Sequence, residues 1–307
     1  MRVTNKENLP QPIVDAVVAA EGLNEGRSGW FDQNHISVTE LIASPRIRYL
    51  KANHWRQMEM DLSDSLFALY GSAMHNILEM ADTTSVKEKR LYASVTQDDM
   101  TWLVSGKFDR LSLLDGALQD YKTMSVYEHM TNKGYPRPER EQQLNLYAWL
   151  CEMEGIKVER LEAYGFMKDW KAGQAVKSDY PKQVQRYEIR KWEKVETYEF
   201  LHARLAAHAD AKFHMCTAEE RWSPEDKWAV VVKGKKRAVP RGVSSDKEYI
   251  DNMVADFERK EVDVRVEFRP GRDIRCSDRG DGHTYCDVSS YCPYANSKGE
   301  LNELIWD

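Results

Sequence analysis

The sequence predicts an α/β protein with a mixed central sheet flanked by helices. In residues 104–123, two apolar runs flank Asp115-Gly116, a strong hairpin signal because both residues tolerate positive φ. In residues 139–154, apolar side chains recur at three- and four-residue spacing, which is typical of a helix with one buried face. Helical and strand-like segments alternate along the chain, and this order favours an α/β core.

The remaining elements follow from local patterns. Ser37 and Glu40 have the spacing of a capping box, so a helix begins there, and Pro45 separates it from a second element. Further helices are predicted at 61–80 and 193–215, and strands at 90–96, 101–109, 158–170 and 184–190.

Composition limits the function classes. The chain has 307 residues, 42% of them hydrophobic, which is enough for a large core and an appendage. No stretch approaches the ~18 consecutive apolar residues of a membrane span, and the N-terminus lacks a secretory pattern. We therefore expect a cytoplasmic protein that does not enter membranes, in the host cytoplasm if it is viral. The net charge of −6 means that any DNA contact must be local.

The character of the chain changes at Cys216, so we predict three parts. These are an N-terminal extension (1–36), a core (37–215) and a cysteine-containing C-terminal module (216–307). In the module, an apolar strand is predicted to turn at Gly234 into a basic strand. The basic strand would carry Lys235, Lys236 and Arg237, which either contact DNA phosphates or form a solvated hairpin.

Asp120 and Lys122 lie two residues apart on the second strand of the hairpin, so their side chains project from one face. Asp109 is predicted on the strand before the turn. The pair at 120 and 122 is either a simple salt bridge or half of a metal-dependent hydrolytic site. Metal-dependent hydrolysis requires groups that bind cations and stabilise developing charge, and carboxylates and a lysine serve these roles.

His75 lies at the edge of the apolar face of the helix predicted at 61–80. Taken alone, such a histidine is more often a surface or half-buried residue than a ligand. Gly71 lies one turn before it, where a glycine would let another backbone or a strand approach closely.

Four short motifs occur in order: Gly71 to His75, Gly106 to Asp109, Asp120 to Lys122, and Gln143 to Tyr147. In this order the chain resembles the PD-(D/E)XK nuclease superfamily, in particular its RecB-like exonuclease branch. That branch contains the RecB and AddB nuclease domains, CRISPR-associated RecB-like exonucleases and phage-encoded relatives. The resemblance covers roughly residues 37–295.

The resemblance implies a restriction-endonuclease-like core and a Mg²⁺- or Mn²⁺-dependent DNA exonuclease, acting in recombination, repair or phage DNA processing. It assigns the metal to His75, Asp109, Asp120 and the Tyr121 carbonyl. Lys122 would position the attacking water.

The same resemblance gives Gln143 and Tyr147 the role of orienting the nucleophile, the lysine or the DNA backbone. Their alternative is ordinary helix packing. DNA ends or single strands are the expected partners, together with a second copy of the chain or a recombination protein. A non-catalytic scaffold and a structure-specific endonuclease are the alternative functions.

Relatives in this branch also carry a four-cysteine iron–sulfur cluster, with one cysteine before the histidine helix. Here Ser44 occupies that position, so the fourth ligand is open, with Cys216 the first candidate and His283 the second. The tail supplies Cys276, Cys286 and Cys292. The alternatives are zinc, an iron–sulfur cluster, or reduced thiols without a ligand.

One further cysteine and two arginines have roles that their local sequence predicts. Cys151 lies on an apolar helix face and is predicted to be a core residue. Arg46 and Arg48 precede the histidine helix and are candidates for phosphate contact.

Overall fold

The computed structural model describes residues 1–20, 34–81, 84–177, 179–278, 280 and 284–297. It divides into two compact units, Met1–His214 and Met215–Asp307. No helix in those described ranges is long and apolar enough to cross a membrane. The three-part division of the chain stays a prediction.

The first unit combines helices with short and long strands. Its helices are α1 (Gln11–Ala20), α2 (Val38–Ile42), α3 (Pro45–His54), α4 (Leu66–Ala81), α5 (Val126–Thr131), α6 (Pro138–Met153) and α7 (Lys194–Ala209). Its strands are β1 (Arg2–Thr4), β2 (His35–Ser37), β3 (Glu59–Asp61), β4 (Ser85–Lys87), β5 (Arg90–Gln97), β6 (Met100–Lys107), β7 (Arg110–Ser112), β8 (Ala117–Met124), β9 (Arg160–Met167) and β10 (Val184–Ile189).

The largest sheet has five strands in the order β10-β9-β8-β7-β4. Strands β8 and β9 are parallel, and the other neighbours are antiparallel. A parallel pair needs a crossover connection, and α5 and α6 provide it between β8 and β9. Helix α6 packs on β8, β9 and β10, while α4 packs on β8. The predicted mixed sheet with flanking helices is therefore confirmed.

A second, three-stranded sheet has the order β2-β6-β5. Strand β2 leads directly into α2, whose capping box forms as predicted. The Ser37 hydroxyl accepts a hydrogen bond from Glu40 N (3.3 Å), and Glu40 Oε2 accepts one from Ser37 N (2.9 Å). Pro45 begins the separate helix α3, since its missing N–H is tolerated in a first turn.

Helix α6 is buried around its whole circumference in residues 143–151, so the predicted one-faced helix is wrong. Both sheets, α2 and α7 surround it. The burial is possible because the side-chain amide of Asn145 forms hydrogen bonds to backbone groups of residues 190 and 192. Its Nδ2 donates to Arg190 O (2.9 Å), and its Oδ1 accepts from Trp192 N (2.8 Å). Cys151 is fully buried in this core, as predicted.

The predicted hairpin exists, but its turn is wider than predicted. Residues 113–116 connect β7 to β8, and Gly116 N donates to Ser112 O (3.0 Å). Only Gly116 of the predicted pair has a positive φ, at 65°. Leu113 and Leu114 are exposed on this turn, so they do not extend the strand.

The second unit contains β11 (Lys227–Val232), β12 (Val243–Ser244), α8 (Lys247–Arg259), β13 (Val264–Arg269) and α9 (Pro293–Asn296). Strand β11 lies between β12 and β13 and forms antiparallel pairs with both. After the turn at Gly234, residues 235–237 form irregular backbone, so the predicted basic strand is wrong. Helix α8 is capped by Asp246, whose carboxylate accepts from Tyr249 N (3.0 Å).

His208 on α7 is buried against α2, where its Nε2 lies 3.1 Å from Leu41 O. Burial lowers the pKa of His208 to about 3, and the nearby Arg204 guanidinium adds to the effect. The native protein therefore keeps this imidazole neutral, whereas an unfolded chain protonates it below about pH 6.5.

This difference predicts acid sensitivity. Because the unfolded state binds one more proton between about pH 6.5 and 3, His208 should lower the free energy of unfolding by about 1.4 kcal/mol per pH unit as the pH falls through that window. Urea unfolding of the wild type and His208→Gln, followed by tryptophan fluorescence at pH 7, 6, 5 and 4, measures the slope. Equal slopes in the two proteins would contradict the prediction.

Candidate active site

Asp109 lies where the chain passes from one sheet to the other, between β6 and β7. Residues 108 and 109 belong to no strand, so the predicted strand position of Asp109 is wrong. The break arises because β6 pairs with β5 and β2, whereas β7 pairs with β4 and β8. Asp109 Oδ2 accepts a hydrogen bond from Tyr121 N (2.7 Å), which fixes the carboxylate beside β8.

Asp120 and Lys122 project from the same face of β8, as strand alternation predicts. Lys122 Nζ donates to Asp120 Oδ1 (2.5 Å) and lies 3.3 Å from Tyr121 O. Asp120 is only 1% exposed. Its second carboxylate oxygen, Oδ2, is buried and has no hydrogen-bond partner among the residues that the structure describes. An unsatisfied buried carboxylate oxygen is costly, so this atom is available for a further electropositive partner.

His75 is carried by α4, and its ring packs against Tyr121 at a centroid distance of 6.3 Å. Its Nδ1 lies 3.5 Å from Asp109 Oδ1 and 3.6 Å from Glu88 Oε1. A Cβ atom built on Gly71 would lie 3.9 Å from Thr123 Oγ1, an ordinary contact. A strand therefore lies beside Gly71, as expected, but no backbone atom outside α4 among the described residues comes within 4 Å of that Cβ.

Ligand atoms of His75, Glu88 and Asp109 all lie within 4.8 Å of one another, close enough to hold one metal ion. Sequence reasoning missed Glu88. It lies in the short turn between β4 and β5 with a φ of 46°, outside every motif. An isolated Glu-Lys pair in a turn carries no periodic signal, so only the pairing of β4 with β7 reveals its position.

The charges of this cluster shift one another's protonation. Burial and then the Asp120 carboxylate raise the pKa of Asp109 to about 6. The Glu88 carboxylate raises the pKa of His75 against the opposing effect of burial. Burial also opposes ionisation of Glu88, but His75 and Lys107 outweigh it and lower its pKa. Several carboxylates that repel one another in a half-buried site are typical of a cation site.

Gln143 and Tyr147 are both buried on α6, and Gln143 Nε2 donates to the Tyr147 hydroxyl (2.8 Å). Burial raises the pKa of Tyr147, and the Asp120 and Asp109 charges raise it further. The phenol is thus neutral and lies near the two carboxylates, on the core side of the site.

The predicted DNA-contacting arginines serve the interior of the first unit. Arg46 is 4% exposed, and its Nη1 donates to Lys212 O (2.6 Å). Arg48 Nη2 donates to His35 O (3.1 Å), and its guanidinium lies over the Trp102 ring. In the second unit, Lys235, Lys236 and Arg237 are exposed.

The pKa of Cys276 responds to the other three C-terminal cysteines. Burial first, and then the Cys286, Cys216 and Cys292 thiols, raise the pKa of Cys276 to about 12. Burial also raises the pKa of Cys286. None of the four forms a disulfide with another described residue. His283, the other candidate ligand, lies outside the described residues.

Asp273 anchors the segment that precedes Cys276. Its Oδ1 accepts a hydrogen bond from Arg221 Nε (3.1 Å), and its Oδ2 accepts one from the Tyr294 hydroxyl (2.6 Å). The Arg221 guanidinium also lies over the Tyr294 ring. These contacts tie the start of the unit, which contains Cys216, to the two ends of the cysteine-bearing tail.

No family model and no curated protein matches this sequence. Among solved structures, the chain is similar to the crystal structure of SSO0001, with a TM-score of 0.48 and 15% identity, covering 66% of this chain and 90% of that chain. It is also similar to a phage related exonuclease from Haemophilus somnus 129PT, with a TM-score of 0.28 and 9% identity, covering 66% of this chain and 82% of that chain. Functional assignment therefore depends on the geometry of the site.

Gly106 packs against the core side of this site. A Cβ at position 106 would lie 2.8 Å from the Tyr147 ring and 2.7 Å from Leu150 Cδ1. We expect Gly106→Ala to lower the free energy of unfolding by about 1–3 kcal/mol, because the Tyr147 ring must shift in a close-packed core. Chemical denaturation measures the change.

Gly173→Ala is the matched control, since no atom lies within 4 Å of a Cβ at that position. It should leave stability nearly unchanged. An equal effect of the two substitutions would show that packing on α6 is not the reason for glycine at 106.

Proposed function

We propose that this chain is a divalent-metal-dependent deoxyribonuclease that hydrolyses phosphodiester bonds. The observation that carries the proposal is the convergence of four side chains where β6 passes into β7, next to β8. His75, Asp109, Asp120 and Lys122 come from three separate elements, yet each is within bonding or near-bonding distance of another member or of the Tyr121 backbone. A carboxylate–lysine pair beside a carboxylate–imidazole pair supplies the groups that metal-assisted hydrolysis requires.

The side chains fit a cation in their donor atoms. Asp109, Asp120 and the Tyr121 carbonyl offer the oxygen ligands that Mg²⁺ and Mn²⁺ prefer, and His75 offers a nitrogen that Mn²⁺ accepts. The unpartnered Asp120 Oδ2 is an oxygen that a cation would satisfy. Glu88 adds a carboxylate on the side of His75. A cation bound there would acidify a water molecule and neutralise phosphate charge.

Lys122 is held in a defined position by its two contacts, to Asp120 Oδ1 and Tyr121 O. From there its ammonium would orient the attacking water and stabilise negative charge that develops on the phosphate. Gln143 and Tyr147 would support this arrangement from the core side, because their polar atoms bond to each other and their side chains are buried.

We propose exonuclease action on DNA ends, in recombination, repair or phage DNA processing, in a cytoplasmic setting. A second copy of the chain or a recombination protein would be the partner. These finer assignments are supported by the order of the four sequence motifs. A structure-specific endonuclease and a non-catalytic DNA-binding scaffold with this fold are the competing outcomes.

The test uses end-labelled linear DNA and covalently closed circular DNA, each with Mg²⁺, Mn²⁺ or EDTA. Wild type should degrade only the linear DNA, and only with metal. Asp120→Asn and Lys122→Gln should each lower the rate by a factor of about 100 or more, since each removes a charge at the reacting phosphate. Circular dichroism checks that both variants fold, because breaking a buried ion pair is strongly destabilising.

Asp115→Asn is the matched control. Asp115 pairs with Arg160 in the turn before β8 and does not contact the site, so the variant should retain wild-type activity. Cutting of the circle would favour the endonuclease. Folded wild-type protein without activity under either metal would favour the scaffold.

We also propose that Cys216, Cys276, Cys286 and Cys292 hold a structural zinc ion or iron–sulfur cluster. The effect of the other three thiols on the pKa of Cys276 supports the proposal, because it indicates that they lie in the same region of the unit. The tie formed by Asp273, Arg221 and Tyr294 supports it as well, since contacts around metal-binding segments orient the ligands.

Metal analysis of protein purified without oxygen tests this proposal. We expect about one metal centre per chain, with visible absorption if it contains iron and sulfide and none if it is zinc. Cys276→Ser and Cys286→Ser should each lose the metal and lower the melting temperature. Cys151→Ala, in the first unit, should keep the metal. Metal-free wild type with unchanged Ser variants would contradict the proposal.

A further inference from the structure

Lys107 is the last residue of β6, and its ammonium forms an ion pair with Glu88 Oε2. The other oxygen of the same carboxylate, Oε1, lies 3.6 Å from His75 Nδ1. Glu88 is thus shared between a lysine on one side and the candidate metal cluster on the other. No sequence motif and no step of the proposed hydrolysis uses Lys107.

The side chains around Glu88 become more exposed from the cluster outward. The exposed fraction of the side chain is 10% for Asp109, 16% for Glu88 and 27% for His75, but 45% for Lys107. Lys122, the other lysine of the site, is only 23% exposed and is held by Asp120. Lys107 is therefore the most exposed side chain of this group.

The two lysines differ in how they are held. Lys122 contacts both Asp120 Oδ1 and Tyr121 O, whereas Lys107 forms its ion pair with Glu88. Of the two ammonium groups, Lys107 is therefore the one that a change at Glu88 would release.

We propose that Lys107 is a substrate-binding residue of the site, held by Glu88 until metal binds and then donating to a non-bridging phosphate oxygen of DNA. This inference rests on the proposed nuclease function and names a contact within it. Glu88 is the shared partner, because a cation that takes up its carboxylate removes the attraction that holds Lys107.

The release follows from simple electrostatics. A divalent cation at His75, Glu88 and Asp109 repels the neighbouring ammonium, and the attraction of Glu88 for it falls. The lysine stem has four rotatable bonds and is half exposed, so the ammonium can turn toward solvent without disturbing β6. An ammonium has three donors, which suits the oxygens of a phosphate.

The experiment compares Lys107→Gln, which removes the charge but keeps an unbranched polar side chain, with Lys107→Arg, which keeps the charge. Lys157→Gln is the matched control, because Lys157 forms an ion pair with Glu159 (2.6 Å) at an exposed position outside the site. Mn²⁺ affinity is measured without DNA by electron paramagnetic resonance of the free ion. Affinity for a fluorescent linear duplex is measured by anisotropy in Ca²⁺, before any assay of cleavage.

Lys107→Gln should bind Mn²⁺ at least as tightly as wild type, because the competitor for Glu88 is gone. It should bind DNA about tenfold more weakly, the low end for losing a hydrogen bond to a charged group. Lys107→Arg should recover most of the DNA affinity, and Lys157→Gln should match wild type in both measurements.

Two results with Lys107→Gln would overturn this inference alone. Weaker Mn²⁺ binding by the variant would mean that Lys107 only holds the Glu88 carboxylate in the position that binds the metal. Unchanged DNA affinity of Lys107→Gln would show that Lys107 does not contact the phosphate. If the wild-type protein still cleaves DNA, the nuclease proposal stands. Wild type that binds no Mn²⁺ and cleaves no DNA would instead overturn the nuclease proposal, and this inference with it.

Discussion

The ion pair between Asp120 and Lys122 is the interaction on which the site depends. A carboxylate at 1% exposure is stable only if a positive group and hydrogen bonds offset its lost hydration. Lys122 provides this partner from the same strand face, at 2.5 Å. Strand β9 pairs with β8 along residues 117–124, whereas β7 pairs only with Leu118 and Gln119. At Tyr121 the backbone therefore takes part in the site, because its N–H bonds to Asp109 and its carbonyl contacts Lys122.

The change of sheet at residues 108 and 109 brings the remaining groups to this pair. A continuous strand would have kept Asp109 in the ladder of one sheet, with its carboxylate on one face of that sheet. The break lets Tyr121 N bind Asp109 Oδ2 directly, so the backbone of β8 orients both acidic residues of the site. Phe108, fully buried at the break, anchors the chain in the core while its neighbour turns toward His75.

Features set by neighbours in sequence were predictable, and features set by distant neighbours were not. The capping box at Ser37 and the shared face of Asp120 and Lys122 depend on residues two or three positions apart, and both form as expected. The full burial of α6 depends on two sheets that the local pattern does not contain. Glu88 reaches the site only through the pairing of β4 with β7, and no local pattern near residue 88 encodes that pairing.

Each acidic group of the site has its own partner in the protein. Asp120 has an ammonium, Asp109 has a backbone N–H, and Glu88 has Lys107 at its outer oxygen. Without a bound metal, the repulsion between these carboxylates must be offset in another way if the protein is to stay folded. The three partners provide this stabilisation. Because Lys107 is the most exposed of them, it is also the partner that a bound cation can replace with least disturbance to the core. Once released from Glu88, the Lys107 ammonium can bind a DNA phosphate.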